Sequence, residues 1–201
     1  MDVLYQVDIS IFYFFNHTIA NPVFDKFFVF ITDVKNWYLT YLVLILIVFF
    51  KGGRIGKLSA GFMILLIITS DQFSSHLLKN LIERIRPCNV LPDVRTLIGC
   101  SGTYSFPSSH AVNNFAAATF FAVLFPKYKW MLFISAFLVA ISRPYLGLHY
   151  PSDTFFGALI GIVLGYIFAI IVLKIESAIQ KRNKPIAQRY EKVGNLNGDN
   201  Q

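Results

Sequence analysis

PSDTFFGALIGIVLGYIFAIIVL, residues 151–173, decides the fold. After Asp153 it carries no charged side chain until Lys174, and an apolar run of that length reads as a helix that crosses a bilayer. Gly157, Gly161 and Gly165 recur four residues apart, so they share one helix face and let a neighbouring helix approach closely. Four further apolar segments precede this one. Trp37 to Phe50, extended backwards by Val34, is the first. Leu58 to Ile82 is the second, roughly 37 Å long as a helix. Ser108 to Phe125 follows a polar loop. Trp130 to Ser142 is expected to stop before Pro144, whose ring disfavours helix in the preceding residue.

Composition points to the same solvent. Of 201 residues, 55% are hydrophobic and only 14% charged, with a mean hydropathy of +0.56. A soluble domain carries about a quarter charged residues, so this apolar excess needs lipid around it. The net charge of +7 and pI near 9.4 could suggest nucleic acid. The basic residues instead flank apolar runs, which is how membrane topology distributes them, and no nucleic-acid partner is expected. The expected fold is all-α: a polytopic transmembrane bundle of five spans, or six if the N-terminal region adds one.

That region, Ile9 to Ile31, mixes aromatic and aliphatic residues with Asn, His, Asp and Lys and is interrupted at Asn21-Pro22. It reads as two short interfacial helices. The expected organisation is therefore 1–35 interfacial, 36–175 transmembrane and 176–201 a polar, partly disordered tail. Asp2 and Asp8 argue against a cleavable signal peptide, so the first span would serve as its own insertion signal.

Lys51, Arg54 and Lys57 follow the first span, Lys127 and Lys129 the third, and Lys181, Arg182, Lys184, Arg189 and Lys192 the last. With five spans these three groups share one side, which the positive-inside rule makes cytoplasmic. The loop from Glu83 to Pro107 and the segment around Arg143 to His149 then meet on the outer face of what is expected to be a bacterial inner membrane. The outer edge is nevertheless basic as well, at Lys79, Arg84, Arg86, Arg95 and Arg143, and such a local violation usually has a functional cause.

The residue types there suit phosphoryl transfer, which needs positioned cations and hydrogen-bond donors for dispersed negative charge. Lys79 supplies a point charge, and Arg86 and Arg143 supply planar forks that bind two oxygens each. Ser108 and Ser109 open a helix, where free N–H groups and the dipole favour an anion. His149 and Asp153 are four apart, so the carboxylate can accept from one imidazole nitrogen and leave the other free to attack. The same pair serves equally well as a plain hydrogen bond. His110, from another segment, can protonate the leaving oxygen. Singly each residue has an ordinary structural explanation. Three clusters on one side do not.

In these residues the chain resembles the type 2 phosphatidic acid phosphatase (PAP2) superfamily. Lys79, six intervening residues and Arg86-Pro87 fit its first motif. Pro107-Ser108-Ser109-His110 fits the second, with Ser109 where the family usually has Gly. Ser142-Arg143, five residues, His149, three residues and Asp153 fit the third. The resemblance implies an integral membrane lipid phosphatase with His149 as nucleophile, Asp153 as its orienting partner and His110 as general acid. Lys79, Arg86, Ser108, Ser109 and Arg143 would bind phosphate, and no metal or other cofactor would be needed. The substrate would be a membrane lipid phosphate: a polyprenyl diphosphate, the 1-phosphate of lipid A, phosphatidylglycerol phosphate or phosphatidic acid.

Cys88 and Cys100, the only cysteines, lie in the outer loop, where an oxidising exterior permits a bridge. Free thiols are the alternative, and two cysteines with remote histidines do not make a zinc site. Asp71, Ser75 and Lys79 share a face of the second span, and Asp71 so placed needs protein or water beside it. A structural hydrogen bond to another helix is the preferred reading, and Asn113 and Asn114 are read the same way. His17 and His76 have no partner pattern. Two other functions fit less well. A vanadate-dependent haloperoxidase would share the anion site but call for soluble helices, and a non-enzymatic transporter or scaffold leaves the three clusters without a purpose.

Overall fold

The computed structural model describes the backbone of residues 3–198 and the side chains of residues 3–182. No strand occurs among the described residues. The order is α1 (Val3–Tyr13), α2 (Pro22–Thr32), α3 (Tyr38–Lys51), α4 (Gly53–Gln72), α5 (Lys79–Ile82), α6 (Pro87–Val90), α7 (Ser109–Leu124), α8 (Lys129–Tyr145) and α9 (Pro151–Gly198). The chain is an integral membrane bundle with two short N-terminal helices. Among the described residues three helical stretches are long and apolar enough to cross a membrane: Val34–Lys51, Gly53–Val90 and Pro151–Arg182. The first buries nothing, and Leu39, Leu42 and Phe50 stand exposed, as lipid-facing side chains should.

At 16 and 17 residues, α7 and α8 measure about 24 and 26 Å, short of a hydrocarbon core of about 30 Å. They complete the bundle by packing, with α7 lying between α4, α8 and α9. The glycine stripe sets the closest approach. A Cβ on Gly157, Gly161 or Gly165 would come within 2.9, 2.4 and 2.3 Å of the carbonyls of Ser108, Val112 and Ala116. The rising order on both helices makes α7 and α9 parallel. Ser75 faces Ser109 and Ser70 faces Asn113, so α4 runs antiparallel to α7. The start of α7, the start of α9 and the end of α4 therefore share one end. The apolar cluster of Leu66, Ala116, Phe120, Leu124, Ala169 and Val172 fills the other, beside Ile55 and Phe125 from the basic turns.

Gly161→Leu is expected to force α7 from α9 and destabilise the protein by about 1–3 kcal/mol, the usual cost of overpacking. A lowered melting temperature in detergent, with activity falling because both helix starts carry site residues, is the expected pair of results. An unchanged melt would mean that the stripe does not set the spacing.

Several boundaries differ from expectation. The α8 helix continues through Pro144 to Tyr145. Pro144 costs the helix its bond to the Ala140 carbonyl in the last turn, and Gly147 closes the turn at φ +79 with its N–H on the Pro144 carbonyl. The second span begins at Gly53, because Gly52 and Gly53 compress the turn and Gly56 is pressed against the Val48 carbonyl. Its C-terminal continuation, Phe73–Leu78, is π-helical, a departure often found near functional sites. The α9 backbone continues as helix past Lys174 to Gly198, where composition predicted partial disorder. The side chains of Lys184, Arg189 and Lys192 lie outside the described residues.

At the N-terminus, α1 and α2 are separated at Asn21-Pro22, as the sequence suggests. Asn21 caps α2 by accepting from the N–H groups of Val23 and Phe24. Asp25 on α2 takes a bidentate ion pair from Arg95 at 2.9 and 3.0 Å and a hydrogen bond from Tyr145. Asn16 bonds the Arg95 and Tyr145 carbonyls. The N-terminal helices are thus fixed by polar contacts over the end where the loops converge.

Candidate active site at the loop end of the bundle

Arg86 and Pro87 follow a left-handed turn at Glu83 that ends the α4–α5 helix. The Arg86 guanidinium, nearly inaccessible to solvent, donates to the Thr103 carbonyl at 2.7 Å, the Thr103 hydroxyl at 2.9 Å and the Leu148 carbonyl at 2.8 Å. Its Nη1 also donates to His149 Nε2 at 3.0 Å. That contact requires a lone pair on Nε2 and places the neutral ring's proton on Nδ1. His149 is buried in the loop between α8 and α9, and burial drives its pKa down to about 3 against the opposing pull of Asp153. The ring is therefore neutral at ordinary pH, with a nucleophilic nitrogen.

Asp153, wholly buried in the first turn of α9, lies with Oδ2 3.7 Å from His149 Nδ1. This is longer than a hydrogen bond, and Nδ1 has no other partner among the described residues. Catalytic hydrogen bonds are often long in unliganded enzymes and tighten on binding. Arg143, in the last turn of α8, donates to the Thr32 hydroxyl at 2.7 Å, while its buried Nε has no hydrogen-bond partner. Lys79 is buried within electrostatic reach of Arg86 and Arg143. His110, in the first turn of α7, is partly exposed and within electrostatic reach of Arg143, His149 and Lys79.

Ser108 precedes α7. Its N–H goes to the Asp153 carbonyl at 3.1 Å, and its buried hydroxyl has no partner. The Ser109 hydroxyl pairs with that of Ser75 at 2.9 Å, so its side chain is held against α4 while its N–H stays in the free first turn. The eight residues expected to act together thus meet at one end. Buried donors left without partners, Arg143 Nε and the Ser108 hydroxyl, are what an anion-binding site presents.

Cys88 and Cys100 form a disulfide with Cα atoms 6.1 Å apart, closing the loop that leads to Thr103 and Ser105. Asp71 accepts from Ser75 at 3.2 Å and from Asn113 at 3.4 Å, a helix-to-helix contact. His17 contacts the Asp93 carbonyl, and His76 is exposed. Among the described residues no cluster of His, Cys, Asp and Glu is arranged to hold a metal.

The sequence reading missed Thr32, Thr103 and Ser105, and gave no role to Asp8 or Arg84. Arg84 forms ion pairs with Asp8 at 2.7 Å and with Asp153 at 2.6 Å. One signal was available, because a carboxylate in an apolar helix such as α1 needs a partner. Of the basic residues at this end of the bundle, Arg84 and Arg95 are therefore neutralised by carboxylates. Among the described residues Lys79, Arg86 and Arg143 have no carboxylate partner at ion-pair distance, and the Arg86 hydrogen bonds go to Thr103, Leu148 and His149.

Comparison with known proteins follows the same lines. The PAP2 superfamily profile matches residues 60–177, more than half of the chain. The lipid A 4'-phosphatase of Bacteroides thetaiotaomicron is 32% identical over 90% of this chain and 83% of its own length. Among solved structures, Aquifex aeolicus LpxE superposes with a TM-score of 0.66 at 30% identity, covering 84% of this chain and 95% of its own. The transmembrane PAP2-type phosphatidylglycerolphosphate phosphatase of Bacillus subtilis gives 0.60 at 28% identity, covering 89% of each.

Proposed function

This chain belongs to the PAP2 superfamily, and from that premise we propose that it is a membrane lipid phosphatase that works through a phosphohistidine on His149. The observation that carries the reading is the neutral, buried His149 beside Arg86, with Arg143 Nε and the Ser108 hydroxyl unpartnered around it.

In this reading Lys79, Arg86, Arg143, Ser108 and the first-turn N–H groups of α7 hold the phosphate oxygens. Arg86 Nη1 turns from His149 Nε2 to a phosphate oxygen, the freed Nε2 lone pair attacks phosphorus, and the bond from phosphorus to the lipid oxygen breaks. His110 takes up a proton when the phosphate dianion binds beside it and offsets Arg143 and Lys79, and gives that proton to the oxygen as it leaves, while Asp153 supports the positive charge that develops on His149. Water then attacks the phosphohistidine, His110 takes its proton, and inorganic phosphate departs with His149 restored.

The substrate class proposed first is a lipid A phosphate monoester, supported by the name of the Bacteroides relative. A panel of a lipid A phosphate, a polyprenyl diphosphate and phosphatidylglycerol phosphate, assayed with purified protein in detergent, tests it. The lipid A phosphate is expected to have the highest kcat/KM, and preference for another lipid would move the assignment. Protein cations supply the positive charge, so turnover is expected to persist in excess EDTA. Loss on chelation with recovery in magnesium would contradict the scheme.

The site is further proposed to face outward from a bacterial inner membrane, with the basic turns and tail inside. Cysteine-tag labelling of intact cells should reach positions near Leu97 and miss positions near Lys184. The reverse pattern would place the site, and its substrate leaflet, on the cytoplasmic side.

A further inference from the structure

A second group of buried charges sits behind Asp153. Arg84 Nη1 donates to Asp153 Oδ1 at 2.6 Å and to the Ser152 hydroxyl at 2.7 Å, and Nη2 donates to Asp8 Oδ2 at 2.7 Å. The guanidinium carbon lies 3.9 Å from the centre of the Tyr150 ring. Asp8, on α1, also accepts from the Ser152 N–H at 2.9 Å and from the Ser152 hydroxyl. On its other side Arg84 borders an apolar groove of about 620 Å³, walled by Val7, Ile11 and Phe155, that none of Lys79, Arg86 and Arg143 lines.

We propose that Asp8 and Arg84 are positioning residues that hold Asp153 against His149, which makes the N-terminal helix part of the catalytic apparatus. The proposal rests on the reading of His149 as nucleophile. Three features support it. First, the side-chain hydrogen bonds of Arg84 go to Asp8, Ser152 and Asp153, so it does not compete for phosphate. Second, both oxygens of Asp153 are fixed: Oδ1 by Arg84, and Oδ2 by the Tyr150 N–H at 2.9 Å and the Ser105 hydroxyl. The carboxylate cannot rotate, so its orientation towards Nδ1 is set before substrate arrives.

The third feature is charge. Arg84 alone with Asp153 would make a neutral pair and weaken the support for positive charge on His149 as the phosphoenzyme forms. Asp8 shares Arg84, so the three side chains together carry a single negative charge towards the imidazole. Asp8 also supplies an acceptor at the first turn of α9, the turn that carries Asp153.

The experiment compares Asp8→Asn, Arg84→Gln, Arg84→Lys and the double variant Asp8→Asn/Arg84→Gln in the full-length protein in detergent. It reads the burst rate of phosphohistidine formation on an aryl phosphate, KM, inhibition by inorganic phosphate, and melting temperature. Asp8→Asn and Arg84→Gln should each slow the burst about 10–100-fold, the range in which outer partners of a histidine usually act. KM and phosphate inhibition should stay as in the wild type. Arg84→Lys should recover part of the rate, and the double variant should lose little more than the worse single change, because the residues act as a unit.

A wild-type burst in folded Asp8→Asn or Arg84→Gln protein would overturn the proposal. So would a loss that tracks weaker phosphate inhibition, which would move Arg84 into the phosphate site. If Arg84→Gln fails to fold, the isosteric Asp8→Asn decides. If that also fails to fold, the pair is a structural staple and the proposal falls. A folded, active His149→Ala protein would overturn the nucleophile reading instead and identify that as the cause.

Discussion

His149→Ala is expected to lower turnover by on the order of 10⁶-fold on every phosphate substrate, the scale on which loss of a nucleophile acts in other enzymes. The size follows from the geometry. Nε2 is the atom held against Arg86, and no other nucleophilic side chain in the cluster occupies that place. The fold should survive, because Arg86 keeps its bonds to Thr103 and to the Leu148 carbonyl when the imidazole is removed. Three measurements check this: rate, melting temperature in detergent and covalent labelling with radioactive phosphate. Labelled protein should be absent from the variant and present in a rapidly quenched wild type. A folded His149→Ala protein with near-normal turnover would sink the covalent mechanism.

The parts of this molecule that could be read from sequence are those with a local cause. Apolar runs must become helices in lipid because every backbone polar group needs an internal partner, so the bundle was legible from hydropathy. The glycine stripe was legible because a four-residue repeat always falls on one face. Asn21-Pro22 was legible because Asn caps a helix and Pro suits its first turn. The site residues could be grouped because their spacing places them at helix ends that topology brings to one side.

What could not be read has non-local causes. Asp8 and Arg84 are 76 residues apart, and no pattern along the chain couples them. The contact of Thr32 with Arg143 joins residues 111 apart in the same way. Helix α8 passes Pro144 because of the closing turn beyond it, which a rule about the preceding residue does not include. The π-helical stretch at Phe73–Leu78 depends on packing against α7 that composition does not encode. Arg84 and Arg95 look like their neighbours Arg86 and Arg143 in sequence. Only the carboxylates that meet Arg84 and Arg95 in the fold set them apart.

The last expected result separates the two histidines. A lipid alkoxide is a poor leaving group, so its departure depends on protonation in the transition state, whereas an activated aryl oxide leaves with little help. His110 stands in the first turn of α7, partly exposed and within electrostatic reach of His149. His110→Ala should therefore slow phosphohistidine formation from a lipid monoester by about 10²–10⁴-fold, the range of general acid catalysis, and from an aryl phosphate far less. His149→Ala should abolish both. The step compared must be the burst, because hydrolysis of the phosphohistidine is common to both substrates and also uses His110. If phosphate grip were the role of His110, both bursts would fall together and inhibition by inorganic phosphate would weaken in proportion. Equal losses would therefore move His110 from acid to phosphate ligand. The leaving-group proton would then have to come from water or from Lys79, which is buried in the same cluster.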